Sequence, residues 1–170
     1  MKVVPYDSRW MADFEQERDR LESALGDVAV RIDHNGSTAV AGLAAKPVID
    51  IQVSVVRLQD VQSYAPALEG LGYAHLPHAD DDRCPFFYRP GEWPHTHHVH
   101  VVEAGGEEER RTLAFRDYLR QHPEAAREYA ALKQDLAARH DGSTAESREA
   151  YADAKTSFVN RIVEQALRSS

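Results

Sequence analysis

The segment Val48-Ile49-Asp50-Ile51-Gln52-Val53-Ser54-Val55-Val56, introduced by Lys46-Pro47, constrains the fold more than any other stretch of the chain. Its density of β-branched residues suits a buried, central strand. Burying an ionised carboxylate costs several kcal/mol unless a cation or hydrogen-bond donors compensate it. Asp50 therefore needs partners, and a metal-binding or basic role stands beside that of a hydrogen-bonded structural aspartate. Gln52, two residues on, shares its face of the strand and offers a metal no more than a neutral carbonyl.

The elements around this strand follow from periodicity. Trp10, Phe14, Leu21 and Leu25 recur near helical spacing after a Ser8 cap, with Glu15, Glu17, Arg18 and Arg20 mostly on the other side, and Gly26 closes the helix. Val28, Val30 and Ile32 alternate as a strand that runs into the turn His34-Asn35-Gly36-Ser37-Thr38. Leu58 to Glu69 reads as a helix that Pro66 must kink or shorten. Short strands are expected over Tyr73 to Leu76 and Cys84 to Arg89, with an acidic loop between them and the Pro90-Gly91 turn after them. His97 to Glu103 returns as their antiparallel partner. Helices then cover Leu113 to Leu119 and Pro123 to Arg139, and a capping box at Ser143 and Glu146 opens a last helix reaching Leu167. These elements make an α/β (α+β) fold: a mixed sheet of about four or five strands flanked by helices, with further helices at the C-terminal end.

At 170 residues and 42% hydrophobic, the chain suits a single domain spanning 1–170. No apolar run approaches the roughly 20 residues of a membrane helix. The N-terminus lacks the h-region of a secretory signal, so a cytoplasmic location is expected. The one cysteine, Cys84, agrees with a reducing compartment, and its default role is that of a small buried hydrophobe. A net charge of -8 without any basic run disfavours a long nucleic acid as partner and favours small substrates.

Three groups of residues carry candidate chemistry. Gly36-Ser37, with Thr38, can bring backbone N–H groups and a hydroxyl close to a phosphate, although the dipeptide by itself is more often an ordinary turn. Asp50 is the buried acid. Among His95, His97, His98 and His100, strand alternation places His98 and His100 on one face, where two imidazoles suit a metal, a phosphate or proton transfer. The bland alternative is hydrogen bonding within the sheet, since no complete zinc signature is present. Lys46 and Arg89, with Arg83, are the cations nearest these segments and can offset a phosphate or carboxylate.

The run His34-Asn35-Gly36-Ser37-Thr38-Ala39-Val40-Ala41-Gly42-Leu43-Ala44-Ala45-Lys46-Pro47-Val48-Ile49-Asp50-Ile51 resembles the signature of the GrpB family. The resemblance extends through Tyr6 to Trp10, His97 to Val101, Leu113 to Arg120 and His122-Pro123, and so covers nearly the whole chain. Asn35 and Ala41 depart from the family's isoleucine and proline. The family is similar to nucleotidyltransferases of the polymerase-β type, in which a Gly-Ser turn precedes a strand bearing two metal-binding acids one residue apart. What the resemblance implies is a phosphate-side turn at Gly36 and Ser37 and a first acid at Asp50. Gln52 stands where the second acid falls, which counts against a two-Mg²⁺ mechanism. His98 and His100 stand in place of a third acid, and imidazoles favour Zn²⁺ or Mn²⁺ over Mg²⁺.

These residues support three readings. The first is a nucleotidyltransferase-like protein acting on a nucleotide or phosphorylated small molecule, with Asp50, His98 and His100 as catalytic residues holding a divalent metal (Mg²⁺, Mn²⁺ or Zn²⁺) and Gly36, Ser37, Thr38, Lys46 and Arg89 binding phosphate. The second is a module that binds such a ligand without chemistry. The third is a metal-assisted hydrolase built on the histidines.

Overall fold

The computed structural model describes residues 3–140 and 143–168. The chain divides into two compact units, Met1–Thr112 and Leu113–Ser170. Among the described residues, no helix is long and apolar enough to cross a membrane.

The first unit is built on a five-stranded mixed sheet in the order β1-β2-β5-β4-β3. Its strands are β1 (Ala29–Asn35), β2 (Ile49–Val55), β3 (Ala74–His75), β4 (Phe86–Arg89) and β5 (His97–Glu103). The strand β2 pairs antiparallel with β1 and parallel with β5, so it is an interior strand, as its β-branched sequence requires. The helix α1 (Arg9–Leu25) packs its Trp10, Phe14, Leu21 and Leu25 stripe into one core with Ile49, Ile51, Val53, Val55, Phe87, Val99 and Val101. All seven strand residues share a face by the pleat alternation. The expected mixed α+β sheet is present.

Local differences from the sequence reading have local causes. Glu17 lies on the buried stripe of α1, 3% exposed, rather than on the solvent side. Its carboxylate accepts hydrogen bonds from Tyr73 Oη at 2.8 Å and Arg20 Nη1 and Arg89 Nη2 at 2.9 Å each. Ser8 makes no side-chain cap; Asp7 Oδ1 accepts the Arg9 N–H at 2.9 Å instead. The register of β1 shifts between Ala29 and Arg31, which breaks the alternation and leaves Val30 exposed. Pro66 sits in the first turn of α2 (Ala65–Gly70), where its missing N–H is harmless. The expected helix over 58–69 is shortened to that segment.

The helix α3 (Glu107–Gln121) begins earlier than its apolar residues suggest, on Glu107, Glu108 and Glu109, acids that suit a helix N-terminus. The second unit contains its later turns with α4 (Pro123–Arg139) and α5 (Ala145–Arg168). Tyr129 is its centre, edge-on to Phe115 and stacked on Phe158, each at 5.3 Å. Thr144 caps α5, its Oγ1 accepting the Ser147 N–H at 3.0 Å.

Candidate functional site

Strand register gives the first unit a second, polar sheet face. Parallel pairing sets Asp50 beside His98 and Gln52 beside His100. Antiparallel pairing sets Asn35 opposite Asp50, Phe86 opposite His100 and Tyr88 opposite His98. Paired residues project to the same side, so these seven side chains form one patch, backed through the sheet by the apolar core.

Asp50 is the hub of the patch. Its Oδ1 lies 3.4 Å from His98 Nδ1 and 3.7 Å from His100 Nε2. These separations exceed the 2.7–2.9 Å typical of a tight charged hydrogen bond. Burial works to raise the Asp50 carboxyl, but hydrogen bonds from His100 and His98 outweigh it and hold the group well below the usual carboxylate range. Burial works to lower His100, and the Asp50 carboxylate, with the Cys84 thiol, overrides it and lifts the imidazole to about 9. His100 is thus an imidazolium at neutral pH.

Two arms leave this hub. Through His98, the Nε2 atom meets His95 Nδ1 at 3.2 Å, and His95 stacks on Tyr88 with centroids 4.3 Å apart. Burial and the neighbouring His98 charge push His95 down. Through His100, the Nδ1 atom meets Cys84 Sγ at 4.0 Å. Beyond Cys84 lies a pocket of about 370 Å³ lined by Leu76, His78, Asp80, Arg83, Phe86, His100 and Glu108 as well.

The turn before the hub is set by glycine. Gly36 has φ +69°, and a Cβ there would lie 2.9 Å from Asp50 Cβ and 3.0 Å from Asp50 Cγ. A side chain is excluded twice, by the left-handed backbone and by the carboxylate packed against it. Ser37, half-buried, starts the 3-10 turn Ser37–Ala39.

Not every residue singled out in the sequence converges here. Asp50, His98, His100 and Gly36 meet, with Ser37 next in the chain. Thr38 is 1% exposed, its hydroxyl held between His34 Nε2 at 3.0 Å and the Val48 carbonyl at 3.3 Å. That position ties the turn to β2 and turns the hydroxyl away from a phosphate-binding role. Arg89 alternates with Tyr88 and so belongs to the opposite face, where it pairs with Glu17 and meets His97 Nδ1 at 3.1 Å. Lys46 is exposed ahead of β2. The sequence reading missed Cys84 and Glu108. Alternation along Cys84, Phe86 and Tyr88 could have placed the thiol, whereas Glu108 comes from a helix whose start the apolar pattern does not mark.

The donor set does not fit a pair of magnesium ions. Gln52 is 1% exposed and its Oε1 accepts from Thr112 Oγ1 at 2.6 Å and Asn35 Nδ2 at 3.3 Å. A neutral amide engaged in this way cannot serve as the bridging carboxylate of a two-metal centre. Among the described residues, no group of three or more His, Cys, Asp or Glu side chains is arranged to hold a metal ion. The two imidazoles point instead at one carboxylate oxygen.

The mixed sheet, with its Gly-Ser turn ahead of an acid-bearing strand, has a nucleotidyltransferase-type fold. The GrpB protein family model matches residues 1–165, and the chain belongs to the GrpB family. It is 34% identical over 168 residues to the UPF0157 protein YqkA of Bacillus subtilis, covering 99% of this chain and 48% of that protein. The chain thus spans about half the length of that relative. The crystal structure of GrpB from Enterococcus faecalis superposes with a TM-score of 0.84 at 32% identity, covering 99% of this chain and 98% of the other. A Mycolicibacterium paratuberculosis dephospho-CoA kinase is 32% identical over 166 residues, covering 84% of this chain and 41% of the kinase. The Cid1 poly(U) polymerase shares the fold, with a TM-score of 0.53 at 14% identity over 82% of this chain and 44% of its own.

Proposed function

We propose that the chain binds a nucleotide or a phosphorylated small molecule, with the phosphate end at the Gly36-Ser37 turn beside the His98 and His100 imidazoles, and that it does so without a two-metal transfer step. The observation that carries this reading is the substitution at the centre of the patch. Where a two-metal enzyme needs a second carboxylate, Gln52 presents a buried amide whose carbonyl is already engaged.

The remaining charge suits an anion. Asp50 stabilises the imidazolium form of His100, and the turn at Gly36 brings backbone close to the same carboxylate. A phosphate approaching this edge meets the His100 cation, which needs no metal to assemble. Asp50 then acts as the residue that keeps the cation charged and oriented.

Calorimetric titration in chelator-containing buffer tests the proposal with AMP, ATP, UTP, pyrophosphate and dephospho-CoA. The kinase named among the relatives supplies the reason for including the last of these. Binding in the presence of chelator, weakened together by His98→Ala and His100→Ala, is the expected result. Magnesium-dependent turnover of a nucleoside triphosphate, lost in Asp50→Ala, would overturn the reading in favour of a transferase.

A further inference from the structure

We propose that the pocket beyond His100 receives the base of a bound purine or pyrimidine nucleotide, specifically a base bearing an exocyclic amino group, with Phe86 as its stacking surface. This inference rests on the phosphate-end reading above.

The pocket holds about 370 Å³, within the range of small-ligand sites. Its apolar wall comes from Leu76, Cys84 and Phe86, and its polar rim carries Asp80 and Glu108 as acceptors with Arg83 and His78. Phe86 is half-buried and stands 5.0 Å from the His100 ring and 4.9 Å from the His98 ring, centroid to centroid. It therefore offers a π-surface that begins at the imidazoles of the phosphate site. A flat heterocycle gains by stacking on such a ring.

Charge decides which end of a ligand enters. Asp80 and Glu108 flank the pocket, and Arg83 is engaged by Asp80. At the rim, away from His100, two carboxylates against one paired guanidinium disfavour a phosphate and accept hydrogen bonds from an amino group. The imidazolium of His100 lies at the inner end, shared between pocket and hub. A nucleotide bridging the two regions places its anionic end at His100 and Gly36 and its neutral, donor-bearing end between Phe86 and Glu108.

Cys84 lines the pocket and is the one cysteine in the chain, so its alkylation by iodoacetamide reports occupancy directly. Saturating AMP is expected to slow alkylation severalfold, while pyrophosphate, which reaches only the His100 side of the thiol, slows it less. Phe86→Ala is expected to weaken AMP binding roughly tenfold, the scale of one base-aromatic stack, and to weaken pyrophosphate binding less. Phe86→Tyr, which keeps the ring, should restore AMP binding, and Glu108→Gln should weaken AMP more than UMP. Equal protection by pyrophosphate and AMP, or undiminished AMP binding in a folded Phe86→Ala protein, overturns the base site while leaving the phosphate site standing. Quenching of the exposed Trp93 by AMP without protection of Cys84 overturns it too, because the base then lies at the His95 arm. Failure of pyrophosphate and AMP alike to bind removes both proposals.

Discussion

Gly36 and Asp50 are packed so closely that a Cβ on the glycine would stand 2.9 Å from the aspartate Cβ. The turn after β1 and the acid on β2 are therefore one structural unit. The backbone that would face a phosphate is positioned by the same carboxylate that holds the imidazoles.

Gly36→Ala should consequently destabilise the protein by at least about 1–2 kcal/mol, from the left-handed backbone alone, and displace Asp50 as well. Chemical denaturation gives the first quantity, and the histidine NMR resonances report the second. An alanine variant as stable as the parent, with unshifted His98 and His100 signals, would contradict the close packing.

The Asp50–His100 pair makes stability depend on pH with a definite sign. His100 is raised from its ordinary 6.5 to about 9, so the folded state holds a proton that the unfolded state releases earlier. Its contribution is present in full below the ordinary value and is lost as pH rises from there through about 9. Asp50, depressed, contributes above its ordinary 3.8 and loses that contribution under strong acid. The melting-temperature gap between the wild type and Asp50→Asn should be widest between these limits and narrow on the alkaline side. A gap constant from neutral pH through strong alkali would exclude the pair as its source.

Gln52→Glu places a second carboxylate beside Asp50 in a position 1% exposed. Like charges at close range are destabilising, and a divalent cation relieves them. The variant should melt below the wild type in chelator and recover when magnesium is added, while the wild type stays indifferent to magnesium. A magnesium-dependent rise in the wild-type melting temperature would show that the amide does not prevent metal binding.

Arg89 separates two expectations sharply. Its guanidinium pairs with Glu17, whose side chain is 4% exposed, on the face opposite Asp50. Removing one partner of a buried ion pair costs about 3–5 kcal/mol, and Glu17→Ala also strips Tyr73 of its acceptor. Arg89 being itself partly accessible, Arg89→Met should cost less than Glu17→Ala, and both should leave pyrophosphate affinity unchanged. Loss of pyrophosphate binding in a folded Arg89→Met protein would restore the phosphate-binding role that its place in the sequence suggests.

Period-two alternation along β2 and β5 is what made the patch readable: Asp50 with Gln52 and His98 with His100 each follow from strand geometry, and the structure adds that the two strands are parallel neighbours. The same alternation sets Arg89 on the face opposite Cys84, Phe86 and Tyr88, but which of those faces joins the histidines follows from the register of β4 with β5. Thr38 shows another limit. A hydroxyl after a Gly-Ser pair suits a phosphate equally well in sequence, and its burial between His34 and Val48 is decided by the path of the turn. Glu17 was misplaced because helical periodicity treats a carboxylate as solvent-facing, whereas Arg20 one turn on and two donors from distant segments, Tyr73 and Arg89, keep it inside. The nucleotidyltransferase-type sheet was legible through the family signature, and the substitution of amide for acid at Gln52 was visible before its hydrogen bonds were.

The most direct test of a metal-free, imidazolium-based phosphate site is sulfate affinity against pH in chelator, followed through the backbone amide resonances of Gly36 and Ser37. Sulfate keeps its charge throughout the range, so any change belongs to the protein. In the wild type, affinity should persist beyond the ordinary histidine range and fall with a midpoint near the His100 value of about 9. In Asp50→Asn the midpoint should shift well to the acid side of the wild-type value, because burial then lowers His100 without the carboxylate to oppose it. Identical midpoints in the two proteins, or sulfate binding that appears only when magnesium is supplied, would contradict the role assigned to Asp50 and His100.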